Sequence, residues 1–371
     1  MLLFNARMST PETNTGTKPV AEQHLFDIAA LEQFLAERMP DFAGPLTVEQ
    51  FKGGQSNPTY KLLTPARAYV LRAKPGPASK LLPSAHAIER EFRVMSALAG
   101  TDVPVPRMHL LCEDESVIGR AFYVMEFIEG RVLWDQSLPS FDRAGRAEIY
   151  DEMNRVIAAL HSVDVTDALA SYGRHDHYIE RQIARWTKQY QASITEPIEA
   201  MDRLIEWLPE HLPASATESS RVAIVHGDYR LDNLVFHPTE PRIVAVLDWE
   251  LSTLGHPLAD FSYHCMSWHI PPGAFRGIGG LDHAGLGIPV EKSYVRRYCE
   301  RTGRVGAGHD VDAVMADWNF YLAYNLFRIA GILQGIAKRV EAGTAASAQA
   351  RQSAAGARPL AEMGWRFAQK S

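Results

Sequence analysis

Two apolar runs that each stop against a carboxylate constrain this chain more than anything else in it. Residues 224–236 read I-V-H-G-D-Y-R-L-D-N-L-V-F, and residues 242–250 read R-I-V-A-V-L-D-W-E. A hydrophobic run, a polar turn and a second hydrophobic run predict strand, loop and hairpin. Asp228 and Asn233 then bound one loop, and Asp248 ends the neighbouring strand. Two carboxylates and an amide so placed suit phosphoryl transfer. One carboxylate orients a hydroxyl and receives its proton, while the amide and the other carboxylate hold Mg²⁺ against phosphates. On this reading Asp228 takes the proton, and Asn233 and Asp248 take the metal. His226 braces the loop by hydrogen bonding, and Asp232 is a solvent-facing or structural carboxylate.

The segments upstream come in an order that fits. A helix is expected over Glu22–Glu37, then strands near residues 46–51, 58–63 and 68–72. A helix over His86–Leu98 and strands near residues 107–112 and 121–127 complete a small antiparallel lobe, β-β-β-α-β-β, ending near Ile128. Between its first two long strands stands Gly53-Gly54-Gln55-Ser56-Asn57. Paired glycines let backbone N–H groups approach phosphate oxygens, with Ser56 and Asn57 as added donors. The same residues also make an ordinary hairpin turn. Arg72 ends the third strand, where a cation can neutralise phosphates and pair with a helix carboxylate. Glu91 is the better partner and Glu89 its competitor on another face. A solvated Arg72 is the plain alternative. The strand leaving this lobe offers the Glu126 carbonyl and the Ile128 N–H to a purine, or is simply a core strand.

Beyond Gly130 the pattern turns helical: Phe141–His161, Tyr178–Gln191, Met201–Leu208 and most of the chain after Asp248. P-A-S-A-T-E-S-S, residues 213–220, reads as a loop. Asp260 opens a helix and ties down the Asp228 loop. Tyr321, Tyr324, Asn325 and Arg328 fall at i, i+3, i+4 and i+7, one helical face. With Trp268 and His269 they are candidates to line an acceptor pocket for an anionic, partly apolar molecule. The alternative is a packed helix in which Arg328 pairs with Asp317 or Asp260. Arg181 and Arg185 are further anion candidates, or an exposed charged face. His256, His264 and His269 cluster in sequence, but their spacing does not align them on one helical face.

Composition closes off other classes. At 371 residues, with 46% hydrophobic and 22% charged residues, the chain is globular with ample core. A net charge of −6 argues against nucleic acid as a partner. Three scattered cysteines, Cys112, Cys265 and Cys299, point to reduced thiols and a cytoplasmic setting. The apolar residues 320–337 are interrupted by Asn325, Arg328 and Gln334, so a buried helix is expected there and no membrane span. Residues 1–20 are expected to be disordered.

H-G-D-Y-R-L-D-N is similar to the protein-kinase catalytic loop H-R-D-x-x-x-x-N, and V-L-D-W-E stands where D-F-G would. V-L-R stands where kinases carry V-A-I-K. With G-G-Q-S-N upstream, residues 45–340 resemble the aminoglycoside phosphotransferase family and its choline-kinase-like relatives. S-A-H-A-I-E-R-E-F-R-V, L-D-W-E-L-S-T-L-G-H-P-L-A-D and N-L-F-R-I-A-G-I-L-Q-G-I are most similar to the kinase-like domain associated with acyl-CoA dehydrogenases. The resemblance implies an α+β, two-lobed protein-kinase-like fold. Residues 21–128 would be the nucleotide-binding lobe and 129–371 a helical lobe holding the catalytic loop. It implies ATP or GTP with Mg²⁺, and phosphorylation of a small-molecule hydroxyl, with a hydroxyacyl-CoA or related acyl metabolite as acceptor. An acyl-CoA dehydrogenase is the implied partner. Three other readings stand beside this one: a nucleotide- or acyl-CoA-binding module without turnover, an aminoglycoside or choline-type alcohol kinase, and a metal-dependent hydrolase built on the histidines.

Overall fold

The computed structural model describes residues 16–52, 57–75, 88–165, 167–174, 176–217, 222–304, 311–343 and 348–371. Gly53, Gly54 and Ser56 of the expected phosphate loop lie outside them. The chain divides into two compact units. Among the described residues, one takes those up to Val132 together with Asn233–Ser252, and the other takes Leu133–Asp232 and Thr253–Ser371. A division after residue 128 therefore misses one feature: the hairpin that carries Asp248 packs with the N-terminal segment.

In the first unit, β1 (Thr17–Lys18), β2 (Thr47–Phe51), β3 (Thr59–Leu63), β4 (Ala68–Ala73), β5 (Met108–Cys112) and β6 (Phe122–Glu126) form one antiparallel sheet in the order β1-β2-β3-β4-β6-β5. Side chains alternate across it. Tyr60, Leu62, Tyr69, Leu71, Phe122 and Val124 share a core with Leu31 and Leu35 of helix α1 (Ile28–Arg38). Helix α2 (Ile88–Leu98) buries Ile88, Glu91, Val94, Met95 and Leu98, one stripe at helical spacing.

Two expectations need correction here. The expected helix is split: Glu22–His24 form a 3-10 turn, and the α-helix begins at Ile28, where Asp27 caps it, accepting from the Ala30 amide at 3.0 Å. Disorder through residue 20 does not hold either: Thr17 and Lys18 pair with Phe51 and Gln50, and Thr17 Oγ1 donates to Glu49 at 2.6 Å.

The chain then runs through β7 (Arg131–Val132) and returns as β8 (Ala223–Val225), β9 (Leu234–Phe236), β10 (Ile243–Val246) and β11 (Thr253–Gly255). β10, β9 and β7 make a three-stranded sheet in the first unit, and β11 pairs with β8 in the second.

The second unit is mainly helical: α3 (Arg143–His161), α4 (Tyr178–Ser193), α5 (Glu199–Glu210), α6 (Pro257–Cys265), α7 (Glu291–Arg301), α8 (Trp318–Glu341) and α9 (Ala357–Ala368). The expected loop at 213–220 contains one helical turn, Ala214–Thr217. α8 is buried nearly all round and packs on α9, α4 and α6. Among the described residues no helix is long and apolar enough to cross a membrane. All three cysteines are buried.

Candidate active site

Arg72 faces Tyr123 in the β4–β6 ladder, so both side chains leave the sheet on one side. There they meet Glu91, whose carboxylate is 2% exposed. Arg72 Nε lies 3.2 Å from Oε1 and 3.1 Å from Oε2. Asn57 Nδ2 donates to Oε1 at 3.1 Å, and the Tyr123 hydroxyl to Oε2 at 3.2 Å. A buried carboxylate needs such donors. Burial pushes the Glu91 carboxyl above its ordinary range, with Arg72 pulling the other way. Burial also works against the Arg72 charge, but Glu91, Tyr123, Asp248 and Glu250 together hold the guanidinium above its ordinary value. Glu89, the competitor in sequence, pairs with Lys74 instead.

The other end of Arg72 reaches the returning hairpin. Nη2 donates to Asp248 Oδ1 at 3.0 Å and lies 3.5 Å from Glu250 Oε2. Leu234 pairs with Val246, and the Leu247 amide donates to the Asn233 carbonyl at 2.9 Å. Asn233 and Asp248 therefore flank the same end of one strand pair. Asp248 takes φ 65°, a left-handed conformation unusual for a residue other than glycine. Strain of this kind concentrates at functional sites. Trp249 anchors the turn, with its side chain buried and Nε1 donating to the Val246 carbonyl at 2.9 Å. Glu126 is the exposed last residue of β6, and Ile128 lies two residues beyond it.

In the second unit the loop after β8 is pinned from below. Asp260, in the first turn of α6, accepts the His226 amide on Oδ2 at 2.7 Å and the Gly227 amide on Oδ1 at 2.8 Å. His161 Nε2 lies 3.1 Å from Asp260 Oδ2, and its Nδ1 lies 2.7 Å from the Tyr298 hydroxyl. Burial would raise the Asp260 carboxyl, but the hydrogen bond and charge of His161, with His226, hold it below its ordinary value. Gly227 takes φ 80°, where a side chain would be strained. Arg328 Nη2 donates to its carbonyl at 2.6 Å.

Asp228 follows, half-buried. Its amide donates to His226 Nδ1 at 3.2 Å, the Tyr263 hydroxyl donates to Oδ1, and Arg230 Nη2 lies 3.3 Å from Oδ2. Burial and the Asp228 charge hold the Tyr263 phenol well above its ordinary value, so it remains a donor. Reading from sequence missed Tyr263, Arg230 and His161. Tyr263 stands three residues after Asp260, on the same helical face, and Arg230 lies inside the loop itself, so both had a signal.

The expected acceptor residues do not all gather beside Asp228. The depression formed around Arg230 and Tyr263 is also lined by Tyr229, Ser267, Phe275 and Arg276, and by none of Trp268, His269, Tyr321, Tyr324 or Arg328. Trp268, His269, Tyr321 and Tyr324 are engaged elsewhere. Trp268 Nε1 donates to the Pro289 carbonyl at 2.9 Å, and His269 Nε2 pairs with Glu291 at 2.9 Å. The Tyr321 hydroxyl meets Ser215 at 2.9 Å, and Tyr324 is fully buried against Tyr178. Arg328 pairs with neither Asp317 nor Asp260, and it reaches the Asp228 loop at the Gly227 carbonyl. Arg181 lies 3.4 Å from Asp176, and Arg185 lies over Trp186. His256 donates to the Ser215 carbonyl at 2.7 Å, and His264 meets the Tyr294 hydroxyl at 2.9 Å. With His269 on Glu291, the three histidines thus face three separate partners.

A model of the phosphotransferase enzyme family matches residues 47–303. Acyl-CoA dehydrogenase family member 10 of Mus musculus is 46% identical over 374 residues, covering 100% of this chain and 33% of the relative. The chain thus spans a third of the length of that curated relative. A crystal structure of a candidate aminoglycoside phosphotransferase from Ralstonia eutropha is 63% identical with a TM-score of 0.84, covering 93% of this chain and 99% of that one. The GDP complex of aminoglycoside 2'-phosphotransferase-IIIa aligns at a TM-score of 0.60 and 13% identity, covering 92% and 99%, a likeness of fold alone. The α+β kinase-like fold expected from the motifs is the fold observed.

Proposed function

The chain belongs to the phosphotransferase enzyme family, and on that premise we propose that it transfers the terminal phosphoryl group of Mg·ATP or Mg·GTP to a hydroxyl of a small acyl metabolite. The observation that carries this reading is Arg72, bonded at once to buried Glu91 and to Asp248. A strand cation paired with a buried helix carboxylate, next to the carboxylate that would hold Mg²⁺, brings together two of the parts a kinase site needs.

Asn233 and Asp248 offer an amide and a carboxylate, the hard oxygen donors that Mg²⁺ takes, at the same end of one strand pair. Bound there, the ion would neutralise charge on the phosphates and leave the γ-phosphorus open to attack. Gly53, Gly54 and Ser56 would cradle phosphates with Arg72, which Asn57 would support through Glu91, and the Glu126 carbonyl and Ile128 N–H would take the purine. Asp228 orients the acceptor hydroxyl. As the new O–P bond forms and the β–γ bridging bond breaks, its carboxylate receives the hydroxyl proton. Asp260 and Arg328 hold the His226–Gly227 backbone, so Asp228 starts from one position.

Two facts favour an acyl acceptor over a polycation. The relative at 46% identity bears an acyl-CoA dehydrogenase name, and the depression around Arg230 and Tyr263 is bordered by two arginines, Arg230 and Arg276. An acyl-CoA dehydrogenase, as a neighbouring domain or a separate partner in the cytoplasm, would handle the phosphorylated product or its precursor. The test is phosphoryl transfer from labelled ATP to hydroxyacyl-CoAs, choline-type alcohols and aminoglycosides, with and without Mg²⁺. Product with hydroxyacyl-CoA, lost on chelation, is expected. If no acceptor consumes ATP while acyl-CoA alone raises the melting temperature, the chain is a binding module without turnover.

A further inference from the structure

We infer that Arg276 is a positioning residue for Asp228, acting through Asp232 and Arg230. The inference rests on the phosphotransfer role proposed for Asp228. Four side chains of alternating charge stand in file within the second unit. Arg276 Nη2 donates to Asp232 Oδ2 at 2.6 Å. Asp232 Oδ1 lies 3.3 Å from Arg230 Nε, and Arg230 Nη2 lies 3.3 Å from Asp228 Oδ2. Arg230 is therefore shared between two carboxylates. The Asp232 side chain is only 4% exposed, so water screens its charge weakly. Its contact with Arg230 is an ion pair. The pull on Arg230 therefore depends on how much of the Asp232 charge Arg276 already offsets.

The backbone that delivers Arg276 is held against its own preference. Phe275 and Arg276 are consecutive non-glycine residues at φ 36° and 59°. Such conformations are strained and persist only where the surroundings over-determine them. Here they do. Gly277 turns so tightly on Ile270 that a Cβ would fall 1.9 Å from its carbonyl oxygen. The Gly277 amide donates to Ala274 at 2.9 Å, Ile278 to Ser267 at 2.8 Å and Gly279 to Ile270 at 2.8 Å. The outcome of this strained turn is one guanidinium placed on Asp232. Without it, Asp232 keeps a single cation, and Arg230 is drawn toward it and off Asp228.

Arg276 also borders the depression, so direct contact with the acceptor is the rival role. Crystal structures and steady-state kinetics of Arg276→Ala and Arg276→Lys separate the two. In Arg276→Ala, Arg230 should leave Asp228, moving past the roughly 4 Å limit of an ion pair. A misplacement of that size lowers kcat on the order of a hundredfold with both KM values unchanged, and Arg276→Lys should restore part of the loss. In an Asp232→Asn background the Arg276→Ala effect should vanish. Arg230 unmoved from Asp228 in the Arg276→Ala crystal, or a defect confined to acceptor KM, overturns the proposal. If Arg276→Ala does not fold, Arg276→Gln keeps a donor for Asp232, drops the charge and is read the same way. A wild-type protein that turns over no acceptor speaks against the proposed function alone, and the displacement of Arg230 is then read from the crystals.

Discussion

Arg328 donates through Nη2 to the carbonyl oxygen of Gly227, 2.6 Å away. Its guanidinium also lies 5.2 Å from the Tyr263 ring centroid and 5.7 Å from that of Trp186. Burial disfavours its charge, while Tyr324, Tyr178, Tyr263 and Asp228 hold it above its ordinary value. Arg328→Ala should therefore leave a buried carbonyl unpaired and a void beside Tyr263, at a cost of roughly 2–4 kcal/mol. Arg328→Lys keeps the charge but loses the planar stacking, and should recover only part. Urea unfolding of both variants measures this, and an alanine variant as stable as wild type would remove Arg328 as the loop's clamp.

Asp228 is held at three atoms: its amide by His226, Oδ1 by Tyr263 and Oδ2 by Arg230. Asp228→Asn preserves size and most hydrogen bonding but cannot accept the proton. We expect kcat to fall by about 10²–10⁴-fold, while Mg·ATP binds within about twofold of wild type, since the nucleotide groups lie on other residues. Calorimetric titration beside a turnover assay checks both halves. Turnover near the wild-type rate would move the proton acceptor elsewhere.

The Arg72–Glu91 pair yields a stability prediction as well as a kinetic one. Glu91 also accepts from Asn57 and Tyr123, so Glu91→Ala removes the acceptor shared by two buried donors and a buried guanidinium. Removing one partner of such a pair costs roughly 3–5 kcal/mol. Glu91→Gln should cost less, because it still accepts from Tyr123 or Asn57. In both variants the KM for nucleotide should rise, with Arg72 now drawn to Asp248 and Glu250 alone. An unchanged nucleotide KM in a folded Glu91→Gln protein would argue that Arg72 is structural only.

These residues differ in how far the sequence reveals them. Asp228, Asn233 and Asp248 are legible because strand ends and loop spacing are local properties. Glu91 is separated from Glu89 by helix phase: it falls in the buried stripe with Ile88, Val94 and Leu98, and Glu89 does not. The acceptor side is not legible for the opposite reason. Sixteen of the 24 residues of α8 are buried, so the spacing of Tyr321, Tyr324 and Arg328 selects no single face. Arg276 depends on a left-handed turn within P-P-G-A-F-R-G, where nothing in residue type announces positive φ at Phe275 and Arg276. The hairpin of β9 and β10 joins the first unit by tertiary packing, which linear order conceals.

His264 gives the fold a dependence on pH whose sign can be worked out. Its Nε2 meets the Tyr294 hydroxyl at 2.9 Å, and Tyr229, Phe261 and Trp268 pack around the ring. Burial lowers its pKa from 6.5 to about 4, with Asp260 opposing. The unfolded chain therefore takes up this proton near its ordinary value, and the folded chain resists it until about 4. Stability is complete above the unfolded value and falls as pH drops toward the folded one, by about 1.4 kcal/mol per pH unit. His161, also lowered by burial, acts in the same direction. The depressed Asp260 carboxyl loses its contribution only as pH falls below its ordinary 3.8, outside this window. Urea midpoints taken between about pH 7 and 5 should decline in wild type, and decline less steeply in His264→Gln by about one proton's worth. Equal slopes in the two proteins would mean that His264 is protonated in the folded state at a pH well above 4.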